Sequence, residues 1–212
     1  MKKISSSILI ILKRALLLAA LCLPGAVQAA SAPENILVFG DSLSAGYGID
    51  TQDSWPSLLQ QEFDRSRKPY KIVNASISGE TTLGGRQRYT KLLEQYRPAI
   101  VIVALGANDG LRGYSTTEIE RNLHEILAQT SRSRAKVLLV GMKLPPNYGE
   151  IYTRQFQAIF PRLAAKHRVQ LLPFLLEGVT TEQFQADYLH PAAASQPQIM
   201  RNVLRALKPL LR

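Results

Sequence analysis

The chain has 212 residues, 46% of them hydrophobic and 20% charged, with a formal net charge of +10 and one cysteine. That length and balance support a self-sufficient hydrophobic core and exclude a disordered chain. A single cysteine excludes a disulfide framework, and no block of like charges favours nucleic acid as a partner.

The chain opens on an export pattern. Lys2, Lys3, Lys13 and Arg14 precede an apolar run over 15–23, Pro24 and Gly25 break it, and Val27-Gln28-Ala29 offers small residues for cleavage. This predicts a secretory signal peptide over residues 1–29 and a periplasmic protein. The run is shorter than the about 20 apolar residues a bilayer helix needs, so no stable membrane insertion is expected after cleavage. Cleavage would leave residues 30–212 as a single domain and would remove Cys22, whose preceding Leu21 is too large for lipidation. It would also leave 22 basic against 16 acidic residues, a net charge of +6, which reads as a mildly basic, solvated surface or as one attracted to anionic lipid or polyanions.

Five apolar, β-branched-rich runs follow: 36–40, 71–75, 99–105, 136–141 and 169–174. The third does not alternate, as suits a strand covered on both faces. Between them the spacing is helical. Trp55, Leu58, Leu59 and Phe63 form one apolar stripe, and Leu92, Leu93 and Tyr96 a second. Ile119, Leu123, Ile126 and Leu127 form a third, opened by Ser115-Thr-Thr-Glu118 as a capping box. Phe156, Ile159, Phe160 and Leu163 form a fourth, which Pro161 is expected to kink or divide. Ile199, Val203, Leu204 and Leu207 form the last, before Pro209. Repeated strand–helix alternation predicts an α/β fold, a parallel sheet with helices on both faces. Such sheets bind ligands at the carboxyl ends of their strands. Ser42, Ser78-Gly79, Gly106–Asp109, Met142–Gly149 and the Asp187–His190 segment all fall there.

A serine hydroxyl becomes a nucleophile when a base takes its proton, and that base is most often a histidine oriented by a carboxylate. His124 stands beside Leu123 on a helix and reads as a boundary residue. His167 follows Lys166 at a helix end, where a cation suits the helix dipole. His190 lies in Asp187-Tyr-Leu-His190-Pro191, where one turn would bring Asp187 back to its Nδ1, and Pro191 would open the next helix at its first position. Ser42 N–H, Gly79 N–H and the Asn108 side chain are candidate oxyanion donors. Gly79 could equally be a turn residue, and Asn108-Asp109-Gly110 a tight turn using left-handed conformations. Asp41 is expected to order its loop and take no part in chemistry. Leu111, Leu144, Pro145, Pro146 and Tyr148 could line an acyl groove or simply pack their loops.

Gly40-Asp41-Ser42-Leu43-Ser44, Gly79, Gly106-Ala107-Asn108-Asp109 and Asp187-x-x-His190-Pro191 follow one another as the four blocks of the SGNH, or GDSL, hydrolases do. Nearly all of residues 30–212 resembles that family. Val73–Gly79, Asn108–Gly113, Leu144–Gly149 and Leu171–Phe174 resemble its bacterial periplasmic thioesterase and lysophospholipase branch most. The resemblance implies a flavodoxin-like three-layer α/β/α fold with a five-stranded parallel sheet. It implies Ser42 as nucleophile, His190 as base, Asp187 as its orienter, and Ser42, Gly79 and Asn108 as the oxyanion hole. It implies hydrolysis of acyl esters and thioesters, small-molecule or lipid, by a monomer without metal or organic cofactor. Ala107 departs from the glycine the family often has there, which leaves the acyl preference open. Other readings of the same rim are a carbohydrate or short-chain acetylesterase on the same triad, a metal-dependent phosphoesterase using Asp41, Asn108, Asp187 and His190, and a flavodoxin-like binding module.

Overall fold

Apolar runs that cannot alternate because both faces are covered make the sheet. In the computed structural model, which describes residues 32–211, they form β1 (Glu34–Gly40), β2 (Tyr70–Asn74), β3 (Ile100–Ala104), β4 (Lys136–Val140) and β5 (Gln170–Leu172). The strands are all parallel, in the order β2-β1-β3-β4-β5. Every residue of β3 is buried. The expected signal peptide over 1–29 lies outside the described residues.

The helices are α1 (Ser42–Ala45), α2 (Trp55–Arg65), α3 (Thr82–Tyr96), α4 (Ala107–Leu111), α5 (Thr116–Arg132), α6 (Glu150–His167) and α7 (Gln196–Leu207). α2 and α7 pack together on one face of the sheet, and α3, α5 and α6 on the other. Trp55 joins the first layer to the site loop, because its backbone N–H donates to Gln196 Oε1 at 3.0 Å and its indole N–H to the Leu43 carbonyl at 3.2 Å. Among the described residues no helix is long and apolar enough to cross a membrane.

Several local expectations are corrected. The strands stop one or two residues early, so Ala75, Leu105, Gly141 and Phe174 lie past the ladder and build the rim. α6 runs unbroken through Pro161, which sits on the solvent side of the helix. There the Gln157 carbonyl that loses its usual donor can be hydrated. Ser115 opens α5, but its side chain makes no capping bond, and Glu118 turns to Arg121 at 3.6 Å instead. Pro191 does not start a helix. It pairs with Phe184 in an antiparallel bridge, and α7 begins at Gln196 with Pro197 in its first turn.

The strand order sets the site. β1 and β3 are neighbours, and the chain runs from β1 out to β2 on one side and from β3 out to β4 on the other, so a crevice opens between their carboxyl ends. The segments after all five strands converge on that edge.

Candidate active site

Gly40 ends β1, and a Cβ there would lie 2.7 Å from Ser44 Oγ and 3.1 Å from the Ala104 carbonyl. Only a glycine lets the chain turn this tightly from strand into α1. Asp41 caps α1 by accepting from the Leu43 N–H at 3.0 Å. Ser42 is thereby fixed at the first helical position, with 8% of its surface exposed.

The structure brings Ser42, His190 and Asp187 into one chain of hydrogen bonds. His190 Nε2 lies 2.9 Å from Ser42 Oγ, and His190 Nδ1 lies 2.6 Å from Asp187 Oδ2. An ionised carboxylate only accepts, so Nδ1 carries the proton and Nε2 is left to accept from the serine hydroxyl. Asp187 Oδ1 also accepts from the N–H groups of Leu189 and His190, at 2.9 and 3.0 Å. This turn requires Tyr188 at φ 55°. The His190 backbone N–H, its imidazole and the Leu189 N–H together hold the Asp187 carboxyl down to about 2. The turn is tied back by Gln185, whose N–H donates to the His190 carbonyl at 2.8 Å and whose Nε2 donates to the Tyr47 carbonyl at 2.8 Å. The Tyr47 ring lies against the imidazole at 4.5 Å.

Gly79 and Asn108 reach the same edge from β2 and β3. Gly79 has φ 78°, and a Cβ there would meet nothing within 4 Å. Backbone conformation alone therefore selects glycine, and the space beside it is open. Among the described residues its N–H donates to no partner. Asn108 lies in the helical turn α4, with no left-handed backbone, so the tight-turn reading does not hold. Its Nδ2 donates to the Glu80 carbonyl at 3.1 Å, which orients the amide beside the Gly79 segment. Behind it, Asp109 accepts from Thr82 N–H at 2.8 Å and Thr82 Oγ1 at 2.6 Å, locking α4 to the start of α3.

A cavity of about 370 Å³ opens beside these groups. Ser42, Asn108 and His190 stand on its polar side, and its walls are mainly apolar. Of the expected groove residues, Leu111, Leu144 and Pro145 line it, and so does Ala107. Pro146 and Tyr148 do not. Pro146 is exposed in a short 3-10 turn, and the Tyr148 hydroxyl instead donates to the Leu111 carbonyl at 3.0 Å, bracing the wall from behind. The remaining wall comes from Leu43, Phe174, Leu176, Phe184, Tyr188 and Leu189, with Lys143 at the mouth. Sequence reasoning missed these residues. Leu43 and Tyr188-Leu189 adjoin Ser42 and His190 in sequence, and that adjacency was a usable signal. Phe174, Leu176 and Phe184 carry none, because an irregular segment decides where they point.

Asp41 and the other two histidines stand apart from this chain. Asp41 is fully buried and its Oδ2 has no hydrogen-bond partner. Burial pushes its carboxyl up to about 7, against the Leu43 N–H and with the help of Asp109. His124 Nδ1 and His167 Nε2 meet at 2.7 Å between α5 and α6. Burial, then His124 and Lys166, lower the His167 pKa, so the favourable helix-end cation expected at His167 is opposed by its surroundings.

The geometry can move a proton from a hydroxyl to an imidazole and can offer N–H donors to an oxygen beside them. Comparisons with known proteins agree with that chemistry. Residues 38–196 match the GDSL-like lipase/acylhydrolase family. The chain is 45% identical to Esterase TesA of Pseudomonas aeruginosa, over 85% of this chain and 91% of that one. It is 41% identical to Thioesterase 1/protease 1/lysophospholipase L1 of Escherichia coli strain K12, over 86% of this chain and 87% of that one. A crystal structure of TesA superposes with a TM-score of 0.82 at 44% identity, covering 84% of this chain and all of that one. The chain belongs to the GDSL-like lipase/acylhydrolase, or SGNH, family and is a carboxylic ester hydrolase.

Proposed function

We propose that the protein is an exported serine hydrolase that cleaves esters and thioesters of fatty acyl groups through an acyl-enzyme. The observation that carries this reading is the Ser42–His190–Asp187 hydrogen-bond chain, at 2.9 and 2.6 Å, standing at the polar edge of an apolar cavity. Ser42 Oγ attacks the acyl carbonyl carbon while His190 Nε2 takes its proton, and Asp187 stabilises the imidazolium. Negative charge forms on the carbonyl oxygen, facing the Ser42 and Gly79 N–H groups and Asn108 Nδ2. Collapse expels the alcohol or thiol with the proton from His190, leaving Ser42 acylated. Water then attacks the acyl carbonyl, losing its proton to His190, and the proton returns to Ser42 as the fatty acid leaves.

The apolar walls favour long acyl chains over the acetylesterase alternative, since an acetyl group would leave most of about 370 Å³ unfilled. Both imidazole nitrogens of His190 are engaged by Ser42 and Asp187, which weighs against the phosphoesterase reading, where one must bind metal. The names esterase and thioesterase/lysophospholipase, printed for the relatives, favour the same substrates. The basic, apolar leader supports export to the periplasm, with residues 1–29 removed.

The test is a panel of aryl esters and acyl thioesters of increasing chain length, run with the parent and with Ser42→Ala. Turnover should rise with chain length on both series and vanish in Ser42→Ala. An organophosphonate should give one adduct per chain, on Ser42. Labelling of another serine, or activity that falls steeply beyond acetyl, would falsify the assignment.

A further inference from the structure

The exposed large hydrophobic side chains among the described residues share one location. Tyr47 follows α1, Ile77 and Leu83 follow β2, and Tyr114 follows α4. Ile151 opens α6, and Tyr188 and Leu189 stand in the turn between Asp187 and His190. Their exposures run from 43% to 74%. All belong to loops or first helical turns at the carboxyl ends of the strands. Single exposed hydrophobics scattered over a surface need no explanation. Confinement of all of them to the edge that holds Ser42 does.

Tyr188 and Leu189 line the cavity, the Tyr47 ring lies against His190, and the loops that carry the others are tied to one another at the same edge. The Arg112 guanidinium donates to the Gly79 carbonyl at 3.4 Å, the Tyr152 hydroxyl to the Tyr114 carbonyl at 2.7 Å, and Gln185 Nε2 to the Tyr47 carbonyl at 2.8 Å. Charges on the same rim have both signs. Lys143 lies 3.9 Å from Glu177, and Glu150 lies 2.6 Å from Arg154. The same loops also expose Asp50, Asp53, Glu182 and Asp187 against Arg112, so the rim leans acidic; an anionic surface would repel it, whereas a zwitterionic one, which carries no net charge, does not. Three of the rim's apolar tips are tyrosines, whose rings favour the boundary between lipid and water.

We propose that this rim is a docking surface for a zwitterionic phospholipid interface, which seats the protein with its acyl cavity facing the lipid. The identity of what enters the cavity rests on the proposed function; the docking does not. Docking of this kind would matter to catalysis. An acyl chain passing through water is disfavoured about fourfold in equilibrium for each exposed methylene, and a cavity opening directly onto lipid avoids that passage.

The experiment uses the full chain carrying Ser42→Ala, so lipid survives, and Cys22→Ser. One cysteine is placed at Ile77, at Ile151, or at Arg132, which lies in the last turn of α5 at the far end of the sheet. Each carries an environment-sensitive fluorophore and is mixed with phosphatidylcholine vesicles containing a nitroxide lipid. The labels at 77 and 151 should shift to the blue and be quenched at least about threefold, with no response at 132. Each label reports its own position, so insertion by residues 1–29 alone does not mimic the pattern. Equal or absent quenching at the three positions overturns the proposal, and so does a response confined to anionic phosphatidylglycerol vesicles. A dimer by sedimentation, with the label at 151 shielded before lipid is added, would assign the face to a second copy and overturn it as well.

With Ser42 restored, Ile77→Ser/Ile151→Ser should hydrolyse vesicle-borne lysophosphatidylcholine about tenfold more slowly and leave turnover of soluble aryl acetate unchanged. An equal fall on both substrates counts against docking. A parent inactive on the lipid refutes the lipid arm of the proposed function, while the labels still decide the docking.

Discussion

Asn108 answers to two neighbours, the Glu80 carbonyl its amide now meets and the substrate oxygen it would meet in the proposed reaction. A donor aimed at developing charge matters most in the transition state, so Asn108→Ala should lower kcat by about 10²–10³ with little change in KM. Because its backbone is helical and unstrained, the same variant should lose only about 0.5–1.5 kcal/mol of stability, the net worth of one hydrogen bond. Steady-state kinetics beside a denaturant midpoint measure both, and a normal kcat in the folded protein removes Asn108 from the mechanism. Gly79→Ala makes the complementary case. Nothing blocks the added methyl, so the loss is the about 1–2 kcal/mol of a left-handed alanine, and any larger fall in activity reports the displaced N–H. Residues of this kind were legible where chemistry and spacing coincide, as in Asp187-x-x-His190 near a strand-end serine. Phe174 and Phe184 were not legible, because their direction into the cavity depends on a chain path that no local pattern encodes.

Helix α6 shows how an element can override its least suitable residue. Pro161 lacks the N–H that would reach the Gln157 carbonyl, yet Phe156, Ile159, Phe160 and Leu163 are buried on the other side of the helix. Each buried side chain is worth about 1.5–3 kcal/mol, together more than the about 3 kcal/mol a proline loses inside a helix. The helix therefore continues. Pro161→Ala should stabilise the protein, by about 1–2 kcal/mol once the greater freedom of the unfolded chain is subtracted. Thermal unfolding measures this, and a lowered Tm would show that the proline relieves a clash or fixes the helix path. The elements themselves were legible, since five apolar runs and five apolar stripes map onto β1–β5 and onto α2, α3, α5, α6 and α7. Their ends were less so. Strands stop where ladder partners stop, at Val140 and Leu172, and that is settled by neighbours distant in sequence. α1 and α4 are too short to show a period at all.

At the scale of the whole molecule, strand order was the feature least readable from sequence, since alternation predicts a parallel sheet but not which strands are neighbours. The order found places β1 between β2 and β3, and that alone gathers Ser42, Gly79 and Asn108. The same packing leaves titratable groups in the protein with opposite preferences, and their sum shapes stability against pH. Asp41 holds its proton up to about 7 when folded, whereas an unfolded aspartate releases it near 3.9. Between those values the folded state binds more protons, so stability declines as pH rises from about 4 to about 7. His167 behaves oppositely. Its folded pKa lies below the unfolded value of about 6.5, so unfolding takes up a proton and stability declines as pH falls below about 6.5. Asp187 adds a further decline only in strong acid, between about 4 and its folded value of about 2. Asp41→Asn should thus raise Tm relative to the parent at pH 8 and do so much less at pH 4, because the amide cannot ionise and can still accept from Leu43. His167→Gln should raise relative Tm at pH 5 compared with pH 8. In a domain of this size 1 kcal/mol moves Tm by about 2–4 °C, so calorimetry over pH 4–8 resolves both. The two difference curves must slope in opposite directions; parallel curves would mean that neither Asp41 nor His167 governs the profile and that the many exposed charges set it instead.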